Sequence, residues 1–288
     1  MSSTAVPEHP EEPDHRAGQV ARALPGFFLL TFAATWTAWL VWASAPFNAL
    51  FLLGVFAPAL VALALTAYGE GRTGVTRLLA RIGKWRVPAR WYLFAIGYMA
   101  ATRLSASLVV RWATGAWPDF SGTPFFLMLV ALLVSTWVQA GEEIGWRGYA
   151  LPRLAAHLGL GGAAVLLGVI WALWHLPLFL LRSTPSHDNP FPIYLLYVTA
   201  ISVAMSWLYW KTEGSLLLTM VMHASVNNTF DIVPAAGHKP MDPMSLEGPP
   251  TTWAIVGVAW VIAVLLLFRM RGARLGGGHG RGQTSSIV

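Results

Sequence analysis

Three apolar stretches of this chain carry side chains of a kind that does chemistry. "GEEIGWRG" holds Glu142, Glu143 and Arg147, "WALWHLPLF" holds His175, and "MHASVNNTF" holds His223 and Asn227. A carboxylate near a histidine can activate water as a general base. A second histidine and an amide can donate hydrogen bonds to a developing oxyanion where most water is excluded. With Glu142 and His175 as the first pair and His223 and Asn227 as the second, the chemistry is amide hydrolysis. The chain has no cysteine, no serine in a nucleophile-elbow motif and no HExxH helix.

Helical spacing divides the work further. Glu143 and Arg147 are four residues apart with the acid first, the favourable order for an ion pair along one face. Glu142 points about 100° away, and Trp146 occupies its i+4 position, so Glu143 reads as a brace and Glu142 as available. His223 and Asn227 are also i,i+4 and project from one face. A charge at mid-span costs about 2.5–3.5 kcal/mol on insertion scales, so these groups need partners or water. Blander readings exist for each. The acidic–basic cluster could mark the end of a span with side chains reaching headgroups. His175 could be a packed, hydrogen-bonded residue, and His223 with Asn227 could be interhelical glue. Taken jointly, a carboxylate, two histidines and an asparagine in separate spans favour a buried polar centre.

The elements that must position these groups follow from composition. Of 288 residues, 56% are hydrophobic and 11% charged, against about 25% charged in soluble domains. The expected fold is all-α, a polytopic transmembrane helix bundle with about eight spans. Those spans are 24–44, 47–68, 91–111, 122–151, 161–181, 191–210, 214–231 and 251–268, each near the length that crosses the hydrocarbon core. The seventh is the weakest by hydropathy. In the fourth, the helix is expected to run through Tyr149 and Leu151 until Pro152 stops it.

A net charge of +6 and a pI near 10.0 do not signal nucleic acid, because the cations sit in short loops. The 69–90 loop holds Arg72, Arg77, Arg81, Lys84, Arg86 and Arg90 against one acid, Glu70. Placing that loop in the cytoplasm puts both termini inside, in the plasma membrane. Asp119, Asp188, Asp231, Asp242 and Glu247 then fall outside. Residues 1–22 read as a disordered cytoplasmic tail, 23–268 as the membrane-embedded domain with its core motifs over 120–231, and 269–288 as a basic Gly-rich tail. The 15 tryptophans read as interface anchors, not as a cofactor box.

With these motifs in place, the chain resembles the CAAX-protease and bacteriocin-processing membrane proteins. The family pattern EExxxR, aromatic-xxx-His, HxxxN reads here as "EEIGWR" (Glu142, Glu143, Arg147), "WALWH" (Trp171, His175) and "HASVN" (His223, Asn227). The resemblance covers roughly 120–231, and "GVFAPAL" at 54–60 is also similar. Phe is commoner than Trp at position 171, a departure expected to affect packing more than chemistry. The resemblance implies an intramembrane endopeptidase in which Glu142 and His175 activate water and His223 and Asn227 form the oxyanion hole. Its substrate would be a membrane protein or a lipidated peptide, met in the lipid bilayer. Family members are often labelled metalloproteases, and Glu142, His175 and His223 would make a three-ligand zinc site with an open water position. A metal-free mechanism, a non-catalytic immunity or scaffold protein, and a small transporter are the other readings. The absence of internal repeats lowers the transporter.

Overall fold

The computed structural model describes residues 15–45, 47–115, 124–184, 186–187, 189–229, 249–273 and 275. Among these the regular structure is helical throughout, with no strand. The helices are α1 (His15–Ser44), α2 (Asn48–Leu79), α3 (Ala89–Thr114), α4 (Phe125–Val138), α5 (Ala140–Glu143), a π-helical turn Ile144–Ala150, α6 (Leu151–Trp174), α7 (Leu176–Leu180), α8 (Phe191–Lys211), α9 (Leu216–Asn228) and α10 (Pro249–Arg269). Helix α1 starts at His15, inside the tail expected over 1–22. Its "HRAGQVARA" opening is rich in residues that favour helix. Residues 1–14 and 276–288 of the expected tails lie outside the described residues, as do Asp119, Asp188, Asp231, Asp242 and Glu247.

Among the described residues, six helices are long and apolar enough to cross a membrane. One of them, Phe126–Trp174, is 49 residues long and cannot be straight. Trp171 donates a hydrogen bond to Glu142 from 29 positions further along, whereas a straight helix would hold the two about 43 Å apart. The chain turns at Gly159, whose φ of 67° and ψ of 168° are non-helical and lie where glycine alone is at ease. The turn folds two antiparallel arms together. The expected seventh span is α9, only 13 residues long. Counting the two arms separately and adding α9 gives the eight stretches read from the sequence; length and apolarity alone give six.

Pro152 does not stop the helix. It sits in the first turn of α6, after a stretch where Leu151 N–H bonds to Trp146 O five residues back. The widened π-helical turn accommodates a residue without an N–H. Pro152 leaves the Gly148 carbonyl, four residues earlier, without its α-helical donor. Arg81 fills that vacancy, its Nη1 donating to Gly148 O at 3.1 Å.

The small residues of "GEEIGWRG" bring this segment against α2. A Cβ on Gly145 would lie 2.6 Å from the Pro58 side chain and 2.7 Å from its carbonyl, and one on Gly141 would lie 3.0 Å from Val55 O. Backbone approaches backbone here, which in lipid supplies the packing that the hydrophobic effect cannot. The "GVFAPAL" stretch is thus the surface on which the acidic segment rests. On the other side, α6 packs on α8. Gly168 leaves room for Thr199, and Ser202 Oγ donates to Ala164 O at 2.9 Å.

Candidate active site

Glu142, Glu143, Arg147, His175 and His223 are all buried, each at 6% exposure or less. Their partners are specific. Glu143 Oε1 accepts from Arg147 Nη1 at 2.8 Å along the same helix. It also accepts from His223 Nδ1 at 2.9 Å, across 80 positions of sequence. Glu142 Oε2 accepts from Trp171 Nε1 at 2.7 Å. His175 Nδ1 lies 2.9 Å from the Trp171 carbonyl. The Asn227 side chain has no hydrogen-bond partner among the described residues.

Acceptor-only partners fix the protons. A carbonyl cannot donate, so His175 carries its proton on Nδ1 and keeps Nε2 as the basic nitrogen. His223 likewise donates through Nδ1 to the Glu143 carboxylate. Its Nε2 is therefore an acceptor when the ring is neutral and a donor only when the ring is cationic. Glu143, read from the sequence as a partner of Arg147 alone, thus ties α5 to α9. No spacing rule links positions 143 and 223, so the sequence carried no sign of this bond.

Trp171 is the residue the sequence undervalued. Besides its indole N–H to Glu142 and its carbonyl to His175, its ring lies under the Arg147 guanidinium at 4.4 Å and edge-on to His223 at 5.0 Å. A phenylalanine there could keep both ring contacts but could not donate to Glu142. The change at this position therefore adds a hydrogen bond to Glu142 to the packing difference that the sequence suggested. The signal available was the indole N–H itself, which when buried usually finds an acceptor.

The tryptophans as a class also depart from expectation. Trp39, Trp146 and Trp174 are at 1% exposure or less. They stack into one aromatic wall, with Trp174 4.8 Å from Trp39, 5.7 Å from Trp146 and 4.6 Å from the His175 ring. Trp174 Nε1 donates to Thr35 Oγ1 at 2.8 Å, and Trp36 Nε1 donates to Trp174 O at 3.0 Å. The indole N–H groups of Trp39 and Trp174 are satisfied inside the bundle, that of Trp146 has no hydrogen-bond partner among the described residues, and the Trp39 and Trp174 rings pack against His175. Trp85, Trp112 and Trp137 remain more than half exposed, as anchors should.

Glu142, His175, His223 and Asn227 line one cavity of about 60 Å³, together with Trp171, Tyr194 and Tyr197. A water in the liquid occupies about 30 Å³, so the cavity suits water and is too small for a peptide. As a zinc site the donors do not fit. Among the described residues no three His, Asp or Glu side chains group closely enough to share an ion.

Fold and site together define a polytopic helical membrane protein with a polar centre sealed between its helices. Residues 123–229, the segment that holds every one of these polar groups, match the family model described as type II CAAX prenyl endopeptidase Rce1-like. The chain is also 25% identical over 224 residues to the CAAX prenyl protease 2 of Methanococcus maripaludis, a match covering 70% of this chain and 81% of that protein. Both likenesses bear out the resemblance to the CAAX proteases carried by the three motifs.

Proposed function

We propose that the chain is an intramembrane endopeptidase of the CAAX type, working without a metal. Glu142, with His175 Nε2 beside it, takes a proton from water as the oxygen attacks the scissile carbonyl. The oxyanion accepts hydrogen bonds from Asn227 and from His223 in its cationic form, which Glu143 is placed to stabilise. The proton then passes to the leaving amine nitrogen as the C–N bond breaks. Substrates are membrane proteins or lipidated peptides whose cleavage site reaches this depth. What carries the reading is that these four side chains, from three separate stretches, share a cavity of water-holding size. The domain occupies 23–268 and acts in the plasma membrane with both termini in the cytoplasm. Reporter fusions at 69–90 and 232–250 should then report opposite sides, the first inside; a shared side would refute that orientation.

The decisive experiment compares cleavage of lipidated CAAX and unlipidated peptides by the native protein and by Glu142→Gln in defined lipid. Glutamine keeps size and the bond from Trp171 but cannot take a proton, so turnover should fall about 100- to 10,000-fold. Chelator should leave the native activity unchanged. Near-native cleavage by Glu142→Gln would return the protein to the non-catalytic immunity or scaffold reading.

A further inference from the structure

The loop between α2 and α3 and the turn between α8 and α9 meet at one end of the bundle. Lys84 Nζ donates to Glu213 O at 2.8 Å, Ser215 Oγ donates to Lys84 O at 2.7 Å, and Leu216 N donates to Arg81 O at 3.0 Å. Between them lies a cavity of about 430 Å³, lined by Lys84, Trp85, Arg86, Lys211 and Glu213 among others. Three cations surround it against one acid. Glu213 is taken up by Lys84, at 3.8 Å, and neither Arg86 nor Lys211 forms an ion pair with any described residue.

Both unpaired cations are nonetheless held in place. Arg86 lies over Trp85 at 5.0 Å and Lys211 over Trp210 at 4.1 Å. Next to them Arg90 lies over Trp91 at 5.0 Å, and Trp91 meets Trp207 edge-on at 5.2 Å. Tryptophans and cations at the ends of spans mark the headgroup level of a bilayer. Basic pockets between helices at that level suit phosphate headgroups, with each cation adding attraction to an anionic surface. Two fixed cations with no carboxylate of their own, around an open cavity, are short of one anion.

We propose that this cavity binds the headgroup of an anionic phospholipid, with Arg86 and Lys211 on the phosphate. The site also touches the catalytic framework. Arg81, in the same loop, holds the Gly148 carbonyl through its side chain and the first turn of α9 through its own carbonyl. Lipid binding is nevertheless independent of the proposed reaction and can be tested without any substrate.

The test is native mass spectrometry of the full chain in mild detergent, titrated with phosphatidylglycerol or with phosphatidylcholine. The native protein should retain phosphatidylglycerol preferentially. The double variant Arg86→Gln/Lys211→Gln should lose roughly thirtyfold in apparent affinity for it, while phosphatidylcholine binding stays as it was. Arg269→Gln/Arg271→Gln, at the end of α10, should retain native affinity. Equal retention of the two lipids by the native protein would overturn the site, as would unchanged phosphatidylglycerol binding by the double variant. Inorganic phosphate added in excess should compete weakly; full displacement would mean a site for free phosphate rather than lipid. The substituted side chains are exposed and make no hydrogen bond to any described residue, so the melting midpoint should stay within error and certify a folded protein.

Discussion

Arg147 lies over Trp171 at 4.4 Å, and Arg86 lies over Trp85 at 5.0 Å. The side-chain pair is the same in both places, but the surroundings are opposite. Arg147 and Trp171 are sealed, at 0% and 4% exposure, while Trp85 is 58% exposed. In the sealed pair the charge has given up its hydration and depends on what the protein supplies. Glu143 supplies one short hydrogen bond and the ring a weaker attraction. Glu143 Oε2 and Arg147 Nε and Nη2 have no hydrogen-bond partner among the described residues. In the exposed pair water does most of this work, and the stack chiefly orients a cation that remains free to meet an anion. Burial turns the motif into a brace; exposure leaves it a docking group.

That difference is open to direct attack. Arg147→Ala leaves the Glu143 carboxylate buried with only His223 to answer it. An uncompensated buried charge of this kind costs about 3–5 kcal/mol. Removing both partners, as Glu143→Ala/Arg147→Ala, removes the stranded charge and should cost less, although His223 then loses its acceptor. Unfolding in mixed micelles, followed by titration with a denaturing detergent, measures both. Equal losses for the single and double variants would show that the pair braces nothing. Arg86→Ala, measured in parallel, should shift stability by no more than about 0.5 kcal/mol.

How far the sequence reaches depends on whether a feature is local. Apolar runs announced the helices, and the i,i+4 spacing of Glu143 and Arg147 announced their contact, because both are properties of one helix read by itself. The turn at Gly159 was harder. One glycine in "HLGLGG" makes the turn, and two more glycines stand within three residues of it. Pro152 escapes the rule that a proline ends a helix because that rule assumes α-helical hydrogen bonding upstream. The π-helical turn, with Arg81 donating to Gly148 O from a distant loop, removes that assumption. The tie between Glu143 and His223 lies furthest from reach, since it needs the packing of α9 before it exists.

Trp171 offers the finest cut through the comparison, because its ring and its N–H serve different partners. Trp171→Phe keeps an aromatic face beneath Arg147 and an edge toward His223, so the brace should survive. It deletes only the indole donor to Glu142 Oε2. A buried acceptor that loses its partner costs about 1–3 kcal/mol, though Glu142 can recover part of this from water in the adjoining cavity. Stability should therefore fall by roughly 1 kcal/mol, well short of Arg147→Ala. Turnover should fall further in proportion, about tenfold for each 1.4 kcal/mol of lost positioning, because the carboxylate that should face water is then free to rotate. Trp171→Tyr, with its hydroxyl at a different height, should not restore the donor. KM should change little, since nothing assigned to substrate binding has moved. A large rise in KM at constant kcat would show instead that Trp171 shapes the substrate's path and that the bond to Glu142 is incidental.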